Sequence, residues 1–449
     1  MVNSEWKTIH YSRTTIHERL FTRYVSCYLP ARQLCLIAQY ERNREKLRIT
    51  FILPGIRIGG GVKSTLELAN RLHDKGHEIT VVYPWTRLLS GSKWYNFKTL
   101  VVRALESVGD LRAGNRTASM GEGPEEFYHR RISDRIARAL RGLKNDRRID
   151  WFNIRANLLR VPTLAERYIP KGDVIVATWW ANAHEVNSYG ADKGVKFHLI
   201  RGYESWGGPV YLVDKAYTLP LHKIVTSTCL KSVIRDKFGV SALGPLPNGV
   251  DFDCFYREGD GFAHHCPKRV GILYRRQKLK GMADGLQAFV LAKKKFPDIQ
   301  LVLFGVKITP GDMEIVKTID NVEYSRLPTG EQLRKIYNSL DIFLFPSHHE
   351  GFGNPPMEAM ACGAACVTTD VGGVRDYAIP AETAFVSPPG NVQSLAHHLI
   401  RLLGNEEQRK TMAKKGHRHI KRFTWGRTAD ELEEIFKSCI SARFQPKTE

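Results

Sequence analysis

The stretch "LRITFILPGIRIGGGVKSTLELANRLHDKGHEITVVYP", residues 47–84, constrains the fold more than any other. It opens on a short apolar run at 48–53 and turns through a glycine-rich loop. A helix then starts near Val62, carries Leu66, Ala69 and Leu72 on one face, and ends at Gly76, before a second apolar run, "EITVVYP". Two strands joined by a helix must run parallel, because the helix carries the chain back to the end where it started. A parallel sheet needs helices on both faces, so the chain is predicted to be α/β.

Later segments repeat the rhythm: "DVIVAT", "VKFHLI" and "KIVTST" read as further strands of the first sheet. Residues 85–165 interrupt it with charged, strand-poor sequence and read as a helical insertion. "GPLPNGVDFDCF" carries the prolines and glycines of a domain junction. A second series starts at "RVGILY" and runs through "QLVLFG", "NVEYS", "DIFLFPS", "AACVTT" and "TAFVSP", with helices near 282–296, 330–339 and 355–362. Helices near 391–403, 405–421 and 427–440 close the chain. A chain of 449 residues is too long for one ordinary core. The expected layout is a basic leader (1–47), a first Rossmann-like domain (48–246), a second (247–421) and a final segment (422–449) packing back on the first. Ligands of such doubly wound sheets bind beyond the carboxyl ends of the strands.

A formal charge of +21 calls for anionic partners. The densest basic run, Arg130 to Arg148, spaces Ile132, Ile136, Leu140 and Leu143 as an amphipathic helix. A solvated face and a contact with anionic membrane lipid both fit it, whereas nucleic acid is not expected without a binding module. The eight cysteines form no CxxC pair, which fits reduced thiols in a cytoplasmic protein and argues against zinc. No apolar run approaches the roughly 18 residues of a membrane span. "SCYLPARQLCLIAQY" lacks the apolar core of a signal peptide, so the expected location is cytoplasmic, at most peripheral on the inner membrane face.

Three motifs carry chemistry. "PGIRIGGGVKST" has Gly60 and Gly61 where backbone amides and a helix N-terminus favour an anion, although its spacing fits neither a dinucleotide fingerprint nor a Walker loop. "GILYRRQKLKG" brings Arg275, Arg276 and Lys280 to a strand exit, suited to binding a diphosphate and to stabilising it as it leaves. "PSHHEGFGNPPMEAMACGAACVTTDVGG" sets Glu350 at a strand end and, eight residues on, Glu358 on the first turn of a helix opened by Pro355 and Pro356. One carboxylate can accept from two neighbouring sugar hydroxyls, and amides after the glycines can face sugar or phosphate oxygens.

The span Glu350 to Glu358 resembles the E-x7-E motif of glycosyltransferase family 4, retaining enzymes of the GT-B fold. "PNGVDFDCF", "GGG" at 59–61 and "RRQKLKG" resemble that family's junction, glycine loop and diphosphate-binding pair, in the same order. The resemblance implies two Rossmann-like domains with a cleft between them, a nucleotide-diphosphate-sugar donor, and no cofactor or metal. Glu350 would then contact the transferred sugar and Glu358 the ribose, with the backbone amides of Phe352, Gly353 and Asn354 also facing the donor. Arg275 or Arg276 with Lys280 would hold the diphosphate, and Val322 to Ser325 would flank the base. The acceptor would be a glycan or lipid-linked sugar of cell-surface polysaccharide synthesis. Where many members have a histidine after the strand matching "VKFHLI", this chain reads "IRGYESW", similar to the "DYE" of a rhamnosyltransferase-like subgroup. Arg201, Tyr203 and Glu204 become candidates for positioning sugar or acceptor, with Glu204 among the catalytic candidates, while His198 reads as a packed strand residue. A nucleotide-sugar epimerase of the same fold and a silent sugar-binding protein remain alternatives.

Overall fold

A computed structural model describes residues 46–84, 149–205, 208–259, 262 and 265–443. The basic leader and the helix expected over 130–148 lie outside the described residues.

The first domain runs β1 (Arg48–Ile52), α1 (Gly60–Asp74), β2 (Glu78–Pro84), β3 (Asn157–Val161), β4 (Val174–Ala177), α2 (Trp180–Ser188), β5 (Val195–Ile200), α3 (Val210–Thr218), β6 (His222–Val225) and α4 (Thr228–Phe238). All its strand pairs are parallel, in the order β3-β2-β1-β4-β5-β6. The second domain runs β7 (Arg269–Tyr274), α5 (Met282–Lys295), β8 (Gln300–Gly305), α6 (Pro310–Lys317), β9 (Val322–Arg326), α7 (Gly330–Asn338), β10 (Ile342–Phe345), α8 (Asn354–Ala361), β11 (Ala365–Thr369), α9 (Val374–Tyr377) and β12 (Ala384–Ser387). Then come α10 (Val392–Gly404), α11 (Glu406–Ile420) and α12 (Trp425–Arg443). Its sheet, β12-β11-β10-β7-β8-β9, has the same order read from the other edge. Both sheets therefore reverse direction of winding next to their first strand, between β1 and β4 and between β7 and β10. Crevices open at those points.

The strands read as near-continuous apolar runs because helices cover both faces. In the second domain one core layer gathers Val270, Ile272, Leu286, Phe289 and Leu399, and the other gathers Phe304, Tyr337, Phe343, Met357 and Tyr377. In the first, Ile52, Ile175, Trp180, Tyr217 and Ile234 pack on one face. Each such side chain contributes about 1.5–3 kcal/mol when fully buried.

The sequence expectation of a helical insertion over 85–165 is corrected at its end. Residues 157–161 are strand β3, paired parallel to β2 at the sheet edge. Two buried residues, Leu158 and Val161, suffice for an edge strand, and the charged sequence before it hid so short an alternation. The last helix, α12, leaves the second domain and packs on α1 of the first. Lys75 pairs there with Asp430 and Glu433, and Phe436 lies 4.8 Å from Phe197 between ring centroids. Among the described residues no helix is long and apolar enough to cross a membrane.

Candidate active site

The glycine loop after β1 leads directly into α1, which starts at Gly60, two residues earlier than its apolar periodicity suggests. Ser64 Oγ donates to the Gly60 carbonyl (2.8 Å) and Thr65 Oγ1 to that of Gly61 (3.0 Å), tying the first turn together. The amide ends of this turn open at the first sheet's crevice.

On the other side, β7 runs into a single 3-10 turn, Lys278–Lys280, closed by Gly281 at φ 61°. A Cβ at Gly281 would fall inside the van der Waals shell of the Pro346 carbonyl oxygen. That close approach lets the Leu279 carbonyl accept from the amides of His348 (2.8 Å) and His349 (3.2 Å). The β7 and β10 loops are thus sewn together, which delivers Lys280 Nζ to Glu350 Oε1 at 2.9 Å. Ser347 Oγ lies 2.8 Å from the same oxygen. A lysine beside a carboxylate at a switch point can grip a hydroxylated sugar and a phosphate together.

Two local expectations are corrected. Glu350 does not end a strand: β10 stops at Phe345, and Glu350 stands five residues further along the loop, where Ser347 and Lys280 hold it. Glu358 sits not on the first turn of α8 but at its fifth residue, because the helix starts at Asn354 after the Gly353 cap. Glu358 is held from two sides. Tyr337 OH donates to Oε2 at 3.3 Å, and Lys63 Nζ, from α1 of the other domain, lies 3.4 Å from Oε1.

Of the other candidates, Arg275 is exposed, and its charge bears on Tyr337, the hydrogen-bond partner of Glu358. Arg276 turns away, donating from Nε to the Lys307 carbonyl (3.0 Å). Phe352 is buried with its ring 5.7 Å from Tyr377, which leaves only its backbone for a ligand. Gly353 caps α8, its carbonyl accepting from Tyr377 OH at 2.5 Å. Asn354 Oδ1 accepts from Asn248 Nδ2 of the junction at 2.8 Å. Val322 to Ser325 belong to β9, the edge strand beyond β8, where Tyr324 is exposed.

The "RGYE" segment after β5 splits three ways. Arg201 turns inward: its guanidinium donates to Thr65 Oγ1 and to the Thr178 carbonyl (3.0 Å), below the glycine loop and without an ion pair among the described residues. Burial pulls its pKa down to about 10 against the opposing charge of Glu204. Glu204 accepts from the Trp180 amide at the start of α2 (3.3 Å); burial pushes it up to about 7, opposed by that amide and by Arg201. Tyr203 points outward, donating to Asp214 Oδ1 (2.8 Å). His198 is buried and stacks on Tyr217, with centroids 5.6 Å apart; burial and the Lys223 charge push it down to about 3.

With two such sheets and this loop set in place, the relatives decide the family. Residues 264–419 match the family described as "Glycosyl transferases group 1". This second domain belongs to that family. The chain is 27% identical over 275 residues to the capsular polysaccharide biosynthesis glycosyltransferase CapM of Staphylococcus aureus, covering 55% of this chain and 69% of that protein. It spans only 31% to 46% of the length of several D-inositol 3-phosphate glycosyltransferases that it also matches. In fold it is similar to sucrose-phosphate synthase of Thermosynechococcus elongatus, with a TM-score of 0.61 and 17% identity over 88% of this chain and all of that one. It is also similar to HepE of Anabaena in complex with UDP-glucose, with a TM-score of 0.58 and 15% identity over 87% of this chain and all of that one. The chain has the two-domain GT-B fold, with a glycosyl transferases group 1 domain as its second half.

Two residues at this site carry no signal in the sequence that singles them out. Lys63 stands where the loop's spacing fits no Walker motif, yet as the fourth residue of α1 it reaches Glu358. The only signal was its place one turn beyond the glycines. Gly351 lies beside Glu350 in the same loop. A Cβ there would collide with the Arg201 carbonyl, so it is where the second domain's loop meets the first domain's "RGYE". No single-sequence pattern announces a contact between loops about 150 residues apart.

Proposed function

We propose that this protein transfers a sugar from a nucleotide-diphosphate-sugar to a glycan or lipid-linked acceptor, with retention of anomeric configuration. The observation that carries the reading is the Lys280–Glu350 pair, 2.9 Å apart at the switch point of the second sheet and beside the contact with the first domain. Glu350 would accept from hydroxyls of the transferred sugar and Glu358 from the ribose. Lys280 and Arg275 would offset the diphosphate charge as the anomeric C–O bond breaks, and so stand in for a metal cation. The departing phosphate oxygen takes the acceptor hydroxyl's proton while the acceptor oxygen bonds to the anomeric carbon on the same face. Glu204 and Arg201 line the first-domain side in place of the family's histidine. The UDP-glucose bound by HepE supports a nucleotide-sugar donor, and the similarity to CapM supports a role in surface polysaccharide synthesis. The charge of +21 favours an acceptor at an anionic lipid surface on the cytoplasmic side.

The test is a donor screen by thermal shift with UDP-, GDP- and dTDP-sugars, followed by turnover with sugar acceptors free or in anionic vesicles, with and without EDTA. One donor should stabilise the protein, and NMR of the product should show the donor's anomeric configuration. Glu350→Gln should lower kcat/KM by about 100-fold or more, equivalent to about 2.7 kcal/mol of lost transition-state binding. An inverted product would defeat the retaining mechanism. Epimerised donor without acceptor would point to isomerase chemistry, and activity lost in EDTA would restore a role for metal.

A further inference from the structure

Only one ion pair among the described residues joins the first domain to a carboxylate of the E-x7-E motif: Lys63 to Glu358. Both residues stand one helical turn inside a helix whose amide end faces the cleft, Lys63 in α1 and Glu358 in α8. The pair therefore sets the spacing between two helix N-termini. We infer that Lys63 is a positioning residue of the donor site, holding Glu358 in its ribose-binding orientation from the opposite domain and so coupling donor capture to closure of the cleft. This inference rests on the ribose role given to Glu358 above.

The surroundings fit a lysine kept charged and in place. Its ammonium lies 4.8 Å from the centroid of the Phe255 ring, itself buried at the junction. Glu67 on its own helix, Asp251 and Cys254 in the junction, and Glu358 are the titratable groups around it. Burial opposes the charge, but the carboxylates of Glu358, Glu67 and Asp251 outweigh it and raise the lysine above its ordinary range. Glu358 is mostly buried, and without Lys63 its remaining side-chain partner among the described residues would be the Tyr337 hydroxyl. A carboxylate so enclosed with one neutral partner is free to turn away, and that weakens its grip on a diol.

A plain domain-packing salt bridge would look alike in a static structure, so the experiment must separate the two. Asp376 of α9 supplies the control: it accepts from the Thr228 amide of α4 at 2.9 Å, crossing the same cleft away from the glycine loop. UDP, GDP and dTDP are titrated calorimetrically into the full chain, its Lys63→Met and Lys63→Arg variants, and Asp376→Asn. Lys63→Met is expected to weaken whichever diphosphate binds by about tenfold, with Lys63→Arg within about threefold of wild type and Asp376→Asn unchanged. Donor KM should rise in Lys63→Met while kcat at saturating donor changes little. Unchanged affinity in Lys63→Met, or an equal loss in Asp376→Asn, would overturn the inference. If the wild type takes none of the three diphosphates, the functional reading fails separately. The coupling is then judged by small-angle scattering of the free proteins, where Lys63→Met must show a larger radius of gyration than wild type.

Discussion

Glu204 shows how one side chain's surroundings set its chemistry. Burial keeps its proton to about pH 7, while an unfolded chain releases it near the ordinary 4.5. Between those values the native state binds more protons, so the contribution is fully present below about pH 4.5 and is lost as pH rises through 7. Partial solvent contact limits the size to about 2 kcal/mol. Glu204→Gln mimics the neutral form, so its urea midpoint should gain on wild type between pH 5 and pH 8. Parallel midpoints across that range would rule this out. At the same scale, the letters of the site were legible wherever chemistry dictates the residue type. Glu350, Glu358 and Lys280 could be picked out because few other side chains grip diols and phosphates. Lys63 could not, since a lysine on a helix is ordinary until its partner, 295 positions away, is known. The direction of Arg276, away from the crevice, is likewise set by the Lys307 carbonyl and not by its own neighbours.

At the scale of elements, the glycine closing the β7 turn carries more of the site than its size suggests. Gly281→Ala must hold a left-handed backbone and push against Pro346, and non-glycine residues there cost about 1–2 kcal/mol before any clash. We expect at least about 2 kcal/mol of destabilisation in chemical denaturation, together with loss of donor-induced thermal stabilisation, since Lys280 and Glu350 meet through this seam. A variant with wild-type stability and donor response would show that the seam is dispensable. Most strands could be read from the sequence because parallel strands buried on both faces are apolar throughout. β3 escaped because an edge strand needs so little apolar surface, and the true start of α8 escaped because Gly353, not the prolines, caps it.

At the scale of the whole molecule, α12 fastens the end of the second domain to the first. Burial resists ionisation of Glu433, but the ammonium groups of Lys437 and Lys75 outweigh it and bring the carboxyl down to about 2. A carboxyl depressed on folding contributes stability above its unfolded pKa and loses it as pH falls toward the folded one. Glu433→Gln should therefore cost about 2 kcal/mol at pH 7, and the difference from wild type should shrink as pH falls from 5 toward 2. Thermal unfolding at pH 7 and pH 3 reads both; a gap that widens in acid would contradict it. The two-domain plan was legible as two runs of strand–helix alternation with a proline-rich junction. That both sheets share one strand order was not, because order depends on which strands pair and not on their sequence.

The chain passes between the domains twice, once at the junction and once entering α12, and the two passages touch. The Val250 amide donates to the Phe423 carbonyl at 2.9 Å, and Thr428 Oγ1 to the Pro247 carbonyl at 2.7 Å. A body hung from a single thread can swivel in any direction; one hung from two threads knotted side by side can only swing. The paired passage resists twisting of one half against the other more than a single linker would.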